Sequence, residues 1–271
     1  MAYEAIGYWP RPGRGSCRRG AARVSEPEPE TFVELEVPVK ALGASVEVQV
    51  WCPQGTRPDE RLPLLVVHDG PEYDALAGLT GYLTTGIADG RLPPLRAALL
   101  SPGPRDRWYS ASARYSQALC RAVLPKITER VATSSTVGLG ASLGALALLH
   151  AHCRRPDVFD ALFLQSGSFF WPPFDSAEEK FRYYRRIVAF VTEVHCYPTH
   201  GGARPHRPVP TVLTCGALEE NIDNNRLMAK SLRDLGYPVT LHEVPGLHNY
   251  PAWRDAFDPH LAELLGRVMS R

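Results

Sequence analysis

Neither sign of charge dominates this chain, and it has no long continuously apolar stretch. Thirty Lys and Arg face 29 Asp and Glu, a formal net charge of +1. There is no single-signed field of the kind that gathers nucleic acid or an anionic membrane surface. No segment approaches the roughly 18 consecutive apolar residues that a membrane span needs. The stretch after Arg18 and Arg19, GAARVSEPEPE, lacks an apolar run of signal-peptide length. The six cysteines (Cys17, Cys52, Cys120, Cys153, Cys196 and Cys215) form no CxxC pair and no regular framework. They read as free thiols in a reducing compartment rather than a disulfide scaffold. His195, Cys196, His200 and His206 match no tight zinc spacing and are interrupted by proline and glycine, so they read as a solvated loop with no metal. The expectation is a soluble, cytoplasmic protein with no nucleic-acid or membrane partner; homodimerisation stays open.

What is present is ordinary globular composition, 44% hydrophobic and 22% charged over 271 residues, with a high proline count of 25. Residues 1–30 are rich in Gly, Pro, Arg and Glu and read as a loosely held arm. From residue 31 onward the chain reads as one α/β domain. Val33, Leu35, Val37 and Val39 alternate with charged residues, as do Val46, Val48 and Val50, which predicts two antiparallel strands around Gly43. Later strands are short continuous apolar runs: Leu64–Val67, Leu95–Leu100, Val137–Leu139, Ala161–Leu164 and Pro210–Leu213. Such runs suit strands covered on both faces, as in a parallel sheet. Helical patterns separate most of them, at Ala75–Ala88, Ser112–Val131, Leu143–Cys153 and Asn224–Leu235, and a last one covers Trp253–Met269. The predicted fold is a mostly parallel sheet with helices on both faces and an antiparallel edge. Residues 169–210 break the alternation and read as a lid or pocket insert, with a helix over Ala177–Val194.

Gly140-Ala141-Ser142-Leu143-Gly144 fits G-x-S-x-G. A chain of this composition holds roughly 0.1 such matches by chance, so context decides. A predicted strand precedes it and a strong helix former follows, the strand–turn–helix setting that exposes a nucleophilic hydroxyl at a strand's end. Ser142 would also stand at a helix N-terminus, where free N–H groups favour a developing oxyanion. The matching general base comes late in the chain, and His248 lies between the strand-like Pro238–Val244 and the last helix. The acid follows the preceding strand; Glu219 stands nearest the strand end and is favoured over Glu220 and Asp223. Leu143 and the Asp69–Gly70 turn after Leu64–Val67 are the candidate oxyanion donors, with Gly70 allowing close approach of a substrate. Phe169, Phe170, Trp171 and Phe174 would wall an apolar pocket or bury a lid; Trp171 is taken as a substrate contact.

Taken together, the segments VVHDGPEY, RDRWYSASARY, GLGASLGALALLHAHCRRPDVFDALFLQSGSFFW, CGALEENIDNN and EVPGLHNYPAWRDAF resemble the esterase family that includes enterochelin esterases, esterase D and the mycolyltransferases. They cover most of residues 32–267 in the expected order. The enterochelin-esterase branch is most similar, with a carboxylate after the Gly that ends the acid strand and a Trp after the histidine, matched by Glu219, His248 and Trp253. The segment before Leu64 is too short for the β-sandwich domain often found there. The resemblance implies the α/β-hydrolase fold, a serine esterase acting through an acyl-enzyme on a small-molecule ester, and no cofactor. It also implies that Arg107 borders the active site, against the equally open reading of a structural ion pair. An acyltransferase with the same triad and a non-catalytic binding protein of this fold are the competing readings.

Overall fold

A computed structural model of the chain describes residues 31–196 and 207–269. The 1–30 arm, His200 and His206 therefore lie outside the described residues. Eight strands form one sheet: β1 (Thr31–Val39), β2 (Ala44–Cys52), β3 (Leu62–His68), β4 (Arg96–Leu100), β5 (Thr133–Ala141), β6 (Ala161–Gln165), β7 (Thr211–Gly216) and β8 (Val239–Val244). Their spatial order is β1-β2-β4-β3-β5-β6-β7-β8. β1 pairs antiparallel with β2, and β2 with β4; every other pairing is parallel. This is the α/β-hydrolase fold with an antiparallel edge.

The burial pattern follows the sequence pattern. Every residue of β3, β4, β6 and β7 is buried, whereas β1 buries Leu35, Val37 and Val39 and exposes the residues between. Successive side chains of a buried strand feed two separate cores. Leu64 and Val66 join the core on one face, Leu65 and Val67 the core on the other.

The helices are α1 (Gly70–Ala77), α2 (Leu79–Ala88), α3 (Arg105–Tyr109), α4 (Ala113–Ala118), α5 (Leu124–Thr128), α6 (Leu143–Arg154), α7 (Tyr184–Cys196), α8 (Ile222–Asp234), α9 (Tyr250–Asp255) and α10 (Ala262–Met269). None of the helices among the described residues is long and apolar enough to cross a membrane. Three expected helices are subdivided. The one expected over Ala75–Ala88 begins earlier, at Gly70, and breaks at Gly78, whose φ of 63° ends α1. A π-helical turn at Leu119–Val123 joins α4 to α5, and Ser112 caps α4 through the Tyr115 N–H. The last helix is interrupted at Asp258, extended at φ −112° and ψ 120°, because a residue before proline is driven out of the helical region. In the insert, a 3₁₀ turn at Ser176–Lys180 and an extended Phe181 precede α7, which starts at Tyr184 rather than Ala177.

Three histidines are buried in or near the core. His68 and His150 are lowered to about 3 and His152 to about 4, in each case chiefly because burial disfavours the imidazolium. A folded-state value below the unfolded one means that the unfolded chain takes up protons first as pH falls. Their contribution to stability is thus intact above about pH 6.5 and declines from there toward pH 3–4, by up to about 1.4 kcal/mol per pH unit for each. Urea midpoints should fall steadily between pH 7 and pH 5; a flat profile would contradict buried, neutral imidazoles.

Candidate active site

Strand order reverses around β3: the chain leaves it for β4 on one side and returns to β5 on the other. In open α/β sheets ligands bind outside the carboxyl ends of the strands at such a switch point. Asp69 follows β3 there and Ser142 follows β5, and Ser166 follows a neighbouring strand, β6. All three have left-handed backbone, with φ of 53°, 57° and 47°. Non-glycine residues held there cost of order 1–3 kcal/mol each and concentrate at functional sites.

The turn at Ser142 (φ 57°, ψ −122°) joins β5 directly to α6. Gly140 has no room for a side chain, and Gly144 has little. A Cβ on Gly140 would sit 2.8 Å from the Gly144 carbonyl carbon, and one on Gly144 would come within 3.2 Å of His68 Cβ and 3.3 Å of an Asp69 carboxylate oxygen. The end of β3 thus packs onto the first turn of α6. Leu143 opens α6 and Gly70 opens α1, so neither N–H has a carbonyl one turn back to bond. Tyr109 Oη stands 3.4 Å from the Asp69 N–H. Gly70 also has a packing reason to lack a side chain. Its missing side chain makes room for strand β4, since a Cβ would lie 2.3 Å from Leu99 Cα, and that packing is reason enough for glycine without a substrate.

The Ser142 hydroxyl pairs with Ser168 Oγ at 3.1 Å, and the Ser168 N–H donates to the Ser142 carbonyl at 3.2 Å. His248 Nδ1 lies 2.7 Å from Glu219 Oε2, the ring 43% exposed and the carboxylate 3%. Glu219 Oε1 accepts from the Gly216 N–H and the Ser166 hydroxyl, both at 2.8 Å. Burial works to raise this carboxyl, but the bonds from His248, Gly216 and Ser166 outweigh it, and it sits below its ordinary value. Gly216 has no room for a side chain, since a Cβ would fall 2.4 Å from the Gly246 carbonyl oxygen on the histidine loop. Of the other two carboxylates considered for this role, Glu220 is exposed and Asp223 pairs with Arg226 at 2.8 Å on the surface of α8. The segment 166–168 links the halves of the site, Ser168 touching Ser142 and Ser166 touching Glu219.

Two sequence expectations look different in three dimensions. Arg107 is exposed, and its backbone carbonyl accepts from Arg186 Nη2 at 2.7 Å. The arginine bound at the site is Arg105, whose Nε and Nη2 each lie 2.9 Å from an Asp69 carboxylate oxygen. Two arginines two residues apart carry the same sequence signal; only the start of α3 decides which one reaches β3. Trp171 packs edge-on against His195 at 5.1 Å, and its N–H donates to Asp175. Phe169 is fully buried in the core, while Phe174 is half exposed. Ser166 and Ser168 were not singled out from sequence, although both lie inside the QSGSFFW segment that carried the resemblance. Among the described residues no three His, Cys, Asp or Glu side chains group to hold a metal ion, and Cys52, Cys120, Cys153 and Cys215 are free thiols.

Arg105 pairs with a nearly buried carboxylate under a left-handed turn. Arg105→Met leaves Asp69 without its partner and should cost about 2–3 kcal/mol in urea unfolding. Asp69→Asn in the same chain should recover part of that loss, and additive losses would rule out the pair.

A family model described as Putative esterase matches residues 39–264. The Iron(III) enterobactin esterase of Dickeya dadantii (strain 3937) is 28% identical over 206 residues, covering 71% of this chain and 45% of that protein. The enterobactin esterase of Shigella flexneri, solved in the presence of enterobactin, superposes with a TM-score of 0.72 at 22% identity over 88% of this chain and 59% of that one. A ferulic acid esterase superposes equally well, with a TM-score of 0.72 at 17% identity, over 89% of this chain and 98% of its own. The chain spans less than half the length of the curated enterobactin esterase it matches, and the structural likenesses speak for the fold. With the family model spanning both strand-end loops and the helices that follow them, the chain belongs to the Putative esterase family.

Proposed function

We propose that this protein is a serine esterase that hydrolyses a small-molecule carboxylic ester through an acyl-enzyme on Ser142. The observation that carries the reading is the Glu219–His248 pair at 2.7 Å, joined through residues 166–168 to a serine in a strained strand–helix turn. A neutral imidazole that donates its Nδ1 proton to Glu219 keeps a lone pair on Nε2. Ser142 Oγ then attacks the ester carbonyl carbon as its proton passes to His248 Nε2. The Ser142 hydroxyl is bonded to Ser168, and catalytic hydrogen bonds commonly tighten only when substrate is bound.

The backbone N–H groups of Leu143 and Gly70 are the donors assigned to the oxyanion, the Asp69 N–H being turned to Tyr109 Oη. His248 returns its proton to the departing alkoxide oxygen. Water, deprotonated by the same imidazole, then releases the carboxylic acid and restores Ser142. Every proton is accounted for by His248, so the cycle requires no cofactor. The names of the enterobactin esterases make a siderophore ester the first natural substrate to try on this chain.

The test is labelling by a fluorophosphonate probe together with turnover of p-nitrophenyl acetate, p-nitrophenyl butyrate and ferric enterobactin. The parent protein should label, and Ser142→Ala should not. Glu219→Gln and His248→Ala should each lower kcat by at least about a thousandfold. A folded parent that neither labels nor turns over any ester overturns the assignment and favours a non-catalytic binding protein.

A further inference from the structure

A buried hydroxyl holds a single proton, and the direction in which Ser166 spends it is determined by its neighbours. Trp253 Nε1 lies 3.0 Å from Ser166 Oγ, and an indole N–H can only donate. Ser166 Oγ therefore accepts there, which turns its own proton toward Glu219 Oε1 at 2.8 Å. The Cys215 thiol beside it is pushed up to about 12 by burial and by Glu219, so it stays protonated and is a poor competing acceptor. With the Gly216 N–H also on Oε1, that oxygen holds two donors, and Oε2 is left to His248.

The tryptophan acts at both ends of this chain of contacts. Its ring stands edge-on to His248, with centroids 5.2 Å apart and planes at 80°. Its backbone carbonyl accepts from Gln165 Nε2 at 2.9 Å, and Gln165 is the residue before Ser166. Ser166 is itself clamped in its left-handed turn, its N–H on the Thr214 carbonyl at 2.7 Å and its carbonyl on Asn221 Nδ2 at 2.9 Å. Asn225 holds the next residue from both sides, its Oδ1 on the Gly167 N–H and its Nδ2 on the Gly167 carbonyl. The contacts of Trp253, Glu219, Gln165 and Asn225 with this segment are buried.

We propose that Ser166 and Trp253 are positioning residues of the esterase site: a one-way hydrogen-bond relay from the indole through the hydroxyl fixes the Glu219 carboxylate against His248. The proposal rests on the reading of Ser142, His248 and Glu219 given above.

The experiment is a double-mutant cycle of Ser166→Ala and Trp253→Phe on the full chain, reading kcat, KM and the pH dependence of kcat/KM with p-nitrophenyl butyrate. Phenylalanine keeps a ring beside His248 but lacks the N–H. Removing Ser166 takes a positive dipole end away from Glu219, which leaves more negative charge facing the imidazole. The acid limb of kcat/KM should therefore move to higher pH, with kcat about tenfold lower and KM unchanged. Trp253→Phe should shift the limb the same way by less, and should add little to kcat once Ser166 is alanine. The far-downfield Nδ1 proton resonance of His248, visible without turnover, should weaken in both variants. If Ser166→Ala folds poorly, Ser166→Gly suits the left-handed φ and removes the same hydroxyl.

Additive losses in kcat, with the acid limb and the Nδ1 resonance unmoved, overturn the relay while leaving the esterase assignment intact. A folded parent without fluorophosphonate labelling or turnover overturns both.

Discussion

A parallel sheet delivers the carboxyl ends of its strands to one edge, and at that edge this chain has to turn sharply at three places. Asp69, Ser142 and Ser166 follow β3, β5 and β6, each in a backbone conformation that L-residues avoid. The turn at Ser142 is a single residue between β5 and α6. It exists because Gly140 and Gly144 touch without side chains, which lets α6 leave β5 with no intervening loop and brings the end of β3 against its first turn. Strain of this kind persists only where the surroundings over-determine it. The two buried cores above and below the sheet supply that rigidity.

Polar interactions then hold what packing leaves free. Asp69 is anchored by Arg105, and the end of β6 is clamped by Asn221, just before α8, and Asn225 within it. Glu219 has three donors on a nearly buried carboxylate. Each of these groups would be costly to bury alone, and each is satisfied by a partner from a different strand-end loop. The exposed side of the arrangement is the imidazole of His248.

Much of the architecture was legible because it rests on local pattern. Alternation in β1 and β2 and continuous apolar runs in β3 to β7 follow from which faces are covered, and the structure has those strands in that order. Helix existence was readable, but helix integrity was less so. The breaks at Gly78 and before Pro259 were carried by single residues inside otherwise helical patterns. Among the candidate site residues, Ser142 stood out because its turn needs small neighbours that can be counted in sequence. Arg105 and Arg107, by contrast, offered the same chemistry two residues apart, and Ser166 and Ser168 looked like ordinary strand-end serines.

The sequence by itself determined the fold class, the strand–turn–helix at Ser142 and the family, since each depends on residues adjacent in the chain or on the order of segments. Glu219 was favoured from sequence, but its contact with His248, the choice of Arg105 for Asp69 and the surroundings of the Ser166 hydroxyl are set by the tertiary structure. Those pairings join loops 29 to 87 residues apart. Only the packing of both cores against one twisted sheet brings them within hydrogen-bond distance.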